Sequence, residues 1–354
     1  MWQFRCIWLV VGAAALQAAA RGQSLSQPPY PPSPVIKSID WAARETIVRH
    51  APGGDNWPVT WGLDDAIYTT WGDGRGFEPF VERKLSCGFA RVVGEPDRFR
   101  GENVRSPAEQ LGDGRRGKKA WGVLSVAGRL YAWFGHADLD GGTMQLAWSD
   151  DLAQNWTFAD WRFDDLGMVG FVNFGRDYQG ARDRYVYAYS HDGRRADTPA
   201  DRFALLRAPQ GRLTEPTAWE YFEKQDESGN LVWTKDAARR GSVFDHRGAC
   251  LRSAMTWCAG LGRYLWWQQI PQPPGHKDRG DTRFEGGFGI YDAPEPWGPW
   301  TTAYYTPKWD VGPGEHADFP ARWMSRDGRT LHLVFSGEDS FSVRRATVRL
   351  QSDR

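Results

Sequence analysis

Asp55, Asp73 and Asp318 are the residues around which chemistry would be organised. Residues 55–77 hold four carboxylates (Asp55, Asp64, Asp65, Asp73) and three indoles (Trp57, Trp61, Trp71) in one hairpin-like unit. Carboxylates accept hydrogen bonds from sugar hydroxyls while an aromatic face covers the apolar C–H face of the ring, so this pairing suits a carbohydrate ligand. A C-terminal echo begins at Asp318-Phe319-Pro320-Ala321-Arg322-Trp323, turns at 326–329 and ends in Gly337-Glu338-Asp339. Carboxylates that converge in one partly enclosed site repel each other and lose water, so at least one stays protonated near neutrality. The result is an acid and a base of the same residue type, the pair that glycosidic bond cleavage needs. Asp55, with Asp73 or Asp318, is the expected catalytic set.

Those residues need elements to position them. Helical periodicity is nearly absent, and short runs rich in Val, Tyr, Trp and Phe recur between Gly, Asp and Asn turns, an all-β pattern. Five strand–turn–strand units are marked at 57–71, 121–135, 171–190, 253–268 and 319–336. Their irregular spacing fits four-stranded blades with loop insertions, and the expectation is a five-bladed β-propeller over 39–350. Residues 149–156 read as a degenerate Asp-box turn, with Ala153 where Gly is usual and Asn155 where Thr is usual. Asp150, Asp151, Asp292 and Glu295 are therefore read as turn formers.

Consecutive antiparallel strands sort the acids between the two faces of the disc. Asp64, Asp65 and Asp327 fall in the turns after inner strands, on one face. Asp55 and Asp318 at inner-strand starts, together with Asp73, His136, Asp138, Asp140, His191, Asp192, Glu338 and Asp339 after second strands, fall on the other face, where the axial funnel takes ligands. Trp57, Trp71, Arg75, His136, Arg252 and Arg322 are the expected substrate-binding residues, and Lys118 and Lys119 are similar candidates. His136, His191 and His316 show no metal-ligand spacing, so no metal site is assigned; a structural calcium is the single cofactor for which room is left.

Composition bounds the rest. The 44 Lys and Arg balance 44 Asp and Glu, which gives no basic surplus for nucleic acid or an anionic membrane surface. The 20 Trp exceed the 18 Phe and 12 Tyr, so some indoles must lock blades together and the rest are candidates for stacking on sugar faces. Residues 1–20 read as an export signal, with Arg5, an apolar run and Ala18-Ala19-Ala20 as a cleavage site, which implies a secreted or periplasmic protein. A second apolar run of spanning length is missing, so no membrane span is expected. Residues 21–38 read as an extended, poorly packed proline-rich linker. Cys87, Cys250 and Cys258 permit one disulfide and leave the pairing open.

Four segments carry a family resemblance: DNWPVTWGLDDAIYTTWGDGRGF, FVNFGRDYQGARDRYVYAYSHDG, GDTRFEGGFGIYDAPEPWGPW and FPARWMSRDGRTLHLVFSGEDSFSVRRATV. Together they resemble a secreted bacterial family labelled as a domain of unknown function, some of whose relatives are endo-D-arabinanases. More distantly, the chain is similar to five-bladed propeller hydrolases such as arabinanases, β-xylosidases and fructosidases. That resemblance implies a base or nucleophile at the start of the first inner strand, which is Asp55, and a polysaccharide substrate. Two other readings compete: a polysaccharide lyase using Tyr68, His136, His191 and Arg252, and a non-catalytic carbohydrate-binding propeller relying on Trp stacking.

Overall fold

The computed structural model describes residues 25–112, 117–135 and 143–353, so residues 1–20, read as an export signal, and His136, Asp138 and Asp140 lie outside the described residues. Five antiparallel blades follow one another along the chain, the inner strands of the third and fourth joined by a short parallel pairing, Val172 with Met255 and Asn173 with Thr256. Blade 1 runs Val59–Trp61, Ile67–Trp71, Leu85–Val93 and Arg100–Val104 from the axis outward, and blade 2 runs Lys119–Val126, Arg129–Gly135, Gln145–Ser149 and Thr157–Phe158. Blade 3 uses Val169–Asn173, Tyr185–His191, Ala200–Pro209 and Glu220–Gln225, with Leu231–Thr234 added outside and Phe244–Cys250 also paired to Ala200–Pro209. Blade 4 uses Ser253–Cys258, Arg263–Ile270, Gly287–Ala293 and Thr301–Thr306. Blade 5 takes Ala317–Asp318, Thr330–Phe335 and Phe341–Leu350 from the C-terminal end, and its outermost strand, Ile36–Trp41, from the N-terminal end. This is a five-bladed β-propeller, closed by a blade built from both ends of the chain.

The strand Ile36–Trp41 and what precedes it correct the expected linker. Ile39 pairs with Val348 and Trp41 with Ala346, so the propeller starts before residue 39. The proline-rich segment is extended but packed: Thr302 N–H donates to Pro31 O and Ser33 N–H to Thr302 O. The Tyr30 ring lies 4.8 Å from Phe244 and 6.2 Å from Tyr291.

Tryptophan fills the seams between blades. Trp57 and Trp71 sit with Phe77 and Phe341 between blades 5 and 1, Trp133 with Phe171 and Trp219 between blades 2 and 3, and Trp267 with Phe288 and Trp309 between blades 4 and 5. Both Trp57 and Trp71 are buried in this packing, at 0% and 1% exposure, so neither is available to stack on a ligand and that expectation is withdrawn. The reason is strand alternation: each indole points into the wedge between neighbouring sheets rather than toward the axis.

The axis itself is polar. Thr60 Oγ1 donates to Asn173 Oδ1 at 2.8 Å, Ser125 Oγ to Asp177 Oδ1 at 2.7 Å, and Thr256 Oγ1 to Asp318 Oδ1 at 2.9 Å. Inner strands are too crowded there for large side chains; at Gly122 a Cβ would meet the Gly170 backbone of blade 3 at 2.9 Å. The Asp-box turn has its expected structural role. Asp151 accepts from Asn155 N–H and Ser149 Oγ–H, and Ala153 adopts the left-handed backbone (φ 72) that Gly would otherwise supply. Asp292 pairs with Arg263 and Glu295 with Arg182, both structural. All three described cysteines are buried free thiols.

Because Ile39 is buried in the closing strand, Ile39→Ala should destabilise by about 2–4 kcal/mol in urea denaturation. A loss near zero would mean that the closing strand lies outside the cooperative unit.

Candidate active site

Every residue lining the main polar cavity comes from one face of the disc, through connections into inner strands or out of second strands. The cavity, about 700 Å³, is walled by Asp55 and Asp73 of blade 1, Lys119 and Trp121 of blade 2, and Arg252 of blade 4. Arg283 from the long loop of blade 4 and Glu315 and Asp339 of blade 5 complete its floor, and the loop residues 195–199 and 276–279 form its rim.

Asp55 and Asp73 are held together by a short backbone bridge, with Asp55 N–H donating to Gly72 O at 2.8 Å and Gly72 N–H to Asp55 O at 2.7 Å. A Cβ on Gly72 would lie 2.4 Å from Asp55 Oδ1 and 3.4 Å from Lys119 Nζ, so the absence of a side chain there is what admits the carboxylate. Lys119 Nζ, buried, is 2.6 Å from Asp73 Oδ1. Neighbouring Asn56 anchors the loop by donating to Ala120 O at 2.6 Å. The backbone is strained where function would be placed: Asp73 (φ 46) and Asp339 (φ 48) both lie in the left-handed region.

Opposite stands Glu315. Its Oε2 is 2.6 Å from Arg252 Nη1, and the Arg252 guanidinium in turn lies 5.8 Å from the centre of the Trp121 ring. Burial outweighs that guanidinium and, with the Asp55 charge added, pushes the Glu315 carboxyl up to about 7. Asp339 is likewise raised, by burial first, although Arg283 Nη1 is 3.3 Å from its Oδ2. The Asp339 carbonyl accepts from Gly53 and Gly54 N–H, which ties the blade 5 loop to the segment that carries Asp55.

Three expected site residues lie elsewhere. Asp318 does not line the cavity: it is sunk in the axis, where it accepts from Thr256 and from the backbone of Phe319 and Val59, and burial pushes its carboxyl up to about 7. Arg322 lies on the opposite face, bound to Asp65 and to Gly94 O, because the short helix 321–323 follows the inner strand and belongs to its turn. Arg75 folds back onto Glu82 O within its own loop. Of the expected set, Asp55, Asp73 and Arg252 line the cavity. Two residues invoked for other chemistry are also displaced. Tyr68 donates to Asp64 on the far face, and His191 is buried with Nε2 on Arg195 O and its basicity lowered by burial to about 4.

Glu315 was missed. It lies in 311–316, a Gly-Pro-Gly turn leading into the inner strand, and the face rule that singled out Asp55 applies equally to it; starting the strand at Asp318 hid it. Among the described residues no group of three or more His, Cys, Asp and Glu is arranged to hold a metal ion, and no helix is long and apolar enough to cross a membrane.

No family model and no curated protein matches the chain. Solved structures similar to it include RS223-β-xylosidase (14% identity, 85% of this chain and 94% of that one, TM-score 0.47). Others are an α-L-arabinofuranosidase from Podospora anserina solved with cellotriose (8%, 90% and 99%, 0.49) and a GH62 hydrolase solved with xylotriose (10%, 89% and 98%, 0.48). The propeller assignment rests on the sheet order given above.

Asp318 yields a test independent of activity. With its folded-state acidity weakened, the protein loses stability as pH rises from about 4, the unfolded value, through about 7, where the buried carboxyl must ionise. Asp318→Asn removes that ionisation, so its melting temperature should fall less than the wild type's between pH 5 and pH 8. Parallel curves would contradict the assignment.

Proposed function

We propose that this protein is a glycoside hydrolase acting on a polysaccharide, with Asp55 as base or nucleophile and Glu315 as general acid. The observation that carries this reading is that Asp55 shares one cavity with a Glu315 carboxyl held up to about 7, so a proton donor and a second carboxyl line the same space. A proton on Glu315 Oε1, the oxygen not facing Arg252, would pass to the leaving glycosidic oxygen as the C–O bond breaks. Asp55 would then attack the anomeric carbon or draw the proton from an attacking water. Lys119 and Asp73 would hold each other in place beside Asp55. Trp121 borders the cavity but is itself buried at 3% exposure, so its part is to support the wall and not to stack on the sugar.

An arabinan-like or other cell-wall glycan outside the cell is the favoured substrate, on the family resemblance and on the export signal read at 1–20. The lyase reading is weaker because its candidate bases Tyr68 and His191 are engaged away from the cavity. The carbohydrate-binding reading is weaker because the indoles it relied on are packed between blades.

The protein, Asp55→Asn and Glu315→Gln should be incubated with D- and L-arabinans, xylan, fructans and uronate polymers. New reducing ends should appear with the wild type, and each variant should lose about 10²–10⁴-fold in kcat. Absence of reducing ends on every polymer, or an Asp55→Asn variant that stays active, would defeat the proposal. As the pH rises through about 7 the rate should fall as Glu315 loses its proton. Arg252→Ala should move that limb upward, since the guanidinium is what holds the carboxyl down, and a limb that moves downward would place the acid elsewhere. Gly72→Ala should likewise cost at least about 10²-fold in kcat, because its methyl would meet Asp55 Oδ1 at 2.4 Å and push the carboxylate out of place.

A further inference from the structure

Beside the polar cavity lies a second one of about 670 Å³, and Arg279 lines both. Its walls are apolar, made by Ile270, Pro271, Pro273 and Pro307 of blade 4 with Leu25 of the N-terminal segment. Its charged lining consists of Arg247 and Arg279 alone, with no acid among the described residues. That is unusual in a chain whose charges balance and whose other guanidinium groups are so often paired with carboxylates.

Arg279 is built into place rather than trailing in solvent. Its Nε donates to Gln272 O at 2.9 Å and its Nη2 to Gly248 O at 3.1 Å, which fixes the guanidinium plane, and among the described residues Nη1 has no hydrogen-bond partner. No carboxylate of the described residues lies within ion-pair distance of Arg279 or of exposed Arg247. Two carbonyls orient the group without neutralising it, and partial burial acts on its charge with no acid to compensate. A planar, preoriented guanidinium is the side chain best matched to a carboxylate. The apolar walls accept the C–H face of a sugar ring, which a compact inorganic anion lacks.

We propose that this second cavity is a subsite for a carboxylated sugar residue of the glycan, a uronate or its equivalent, with its carboxylate on Arg279 and Arg247 and its ring against the proline-rich wall. Because Arg279 also borders the cavity that holds Asp55 and Glu315, the chain of sugars passes from the subsite to the cleavage point without leaving the protein surface. The inference rests on the hydrolytic reading for the role of that neighbouring cavity, but the carboxylate site stands on its own residues.

The test is binding, measured by calorimetry at low ionic strength with the Asp55→Asn protein so that the ligand survives. The probes are galacturonate and glucuronate trimers and their carboxyl-reduced counterparts. At least one acidic trimer should bind about tenfold or more tightly than its reduced form, the scale of a charge-assisted contact. Arg247→Glu and Arg279→Gln should each erase that preference. Arg247 is exposed, so its variant should fold unchanged by circular dichroism and keeps the test decisive if the Arg279 variant does not fold. Equal affinity for acidic and reduced trimers, or a preference that survives Arg247→Glu, would overturn the subsite. In the reducing-end assay, a protein that prefers acidic trimers but cleaves nothing would defeat the hydrolytic reading and leave the subsite standing. Cleavage without any such preference would do the reverse.

Discussion

Asp318 is the tie on which the ring depends. One carboxyl at the axis of blade 5 accepts from Thr256 of blade 4 and from the backbone of Val59 in blade 1, so the penultimate, last and first blades meet at a single side chain. The same blade is closed on its outer edge by Ile36–Trp41, drawn from the other end of the chain. Blades contribute to the cavity in ones and twos, so Asp55 faces Glu315 only when both closures hold. Burying this carboxyl carries a desolvation cost that its three donors offset only while it remains largely protonated. The fold thus contains two raised carboxyls a few residues apart, Glu315 facing the cavity and Asp318 facing the axis, and their different surroundings separate chemistry from architecture.

Charge in the cavity is arranged as interlocked pairs rather than as a pool of acids. Lys119 answers Asp73, Arg252 answers Glu315 and Arg283 answers Asp339. Removing one partner would leave an uncompensated buried charge, which is far more costly than either group's net contribution when paired. Each cation reaches an acid on a different loop or strand, and Arg283 also holds Asp281 of its own loop. The electrostatics therefore hold the blades in register as well as setting which carboxyl keeps its proton.

Much of this was legible in the sequence. The strand–turn–strand units were readable because apolar alternation and Asp or Gly turns are local signals, and antiparallel geometry alone then sorted Asp55, Asp73 and Asp339 from Asp64, Asp65 and Asp327. Closure by Ile36–Trp41 was not, since pairing with Phe341–Leu350 is a contact between chain ends that leaves no local mark, and the prolines before it suggested a loose linker. Trp57 and Trp71 misled for a related reason: an indole next to an acid looks the same whether it faces the funnel or the wedge between blades, and only strand register decides. Arg322 was assigned to the wrong face because the inner strand of blade 5 is two residues long and the chain has already turned when it reaches 321–323. Glu315 escaped for the same short strand.

Asp73 and Asp339 hold left-handed backbone where glycine would sit without strain and asparagine nearly so. Replacement by glycine at either position would relieve the backbone while deleting a carboxylate from the cavity. At Asp339, whose partner Arg283 also holds Asp281, stability and function thus pull in opposite directions; at Asp73 the relief is opposed by the buried Lys119 ammonium that would lose its partner. In any descendant of this chain released from its substrate, drift toward glycine or asparagine at Asp339 would come early, making that residue a record of whether the cavity is still in use.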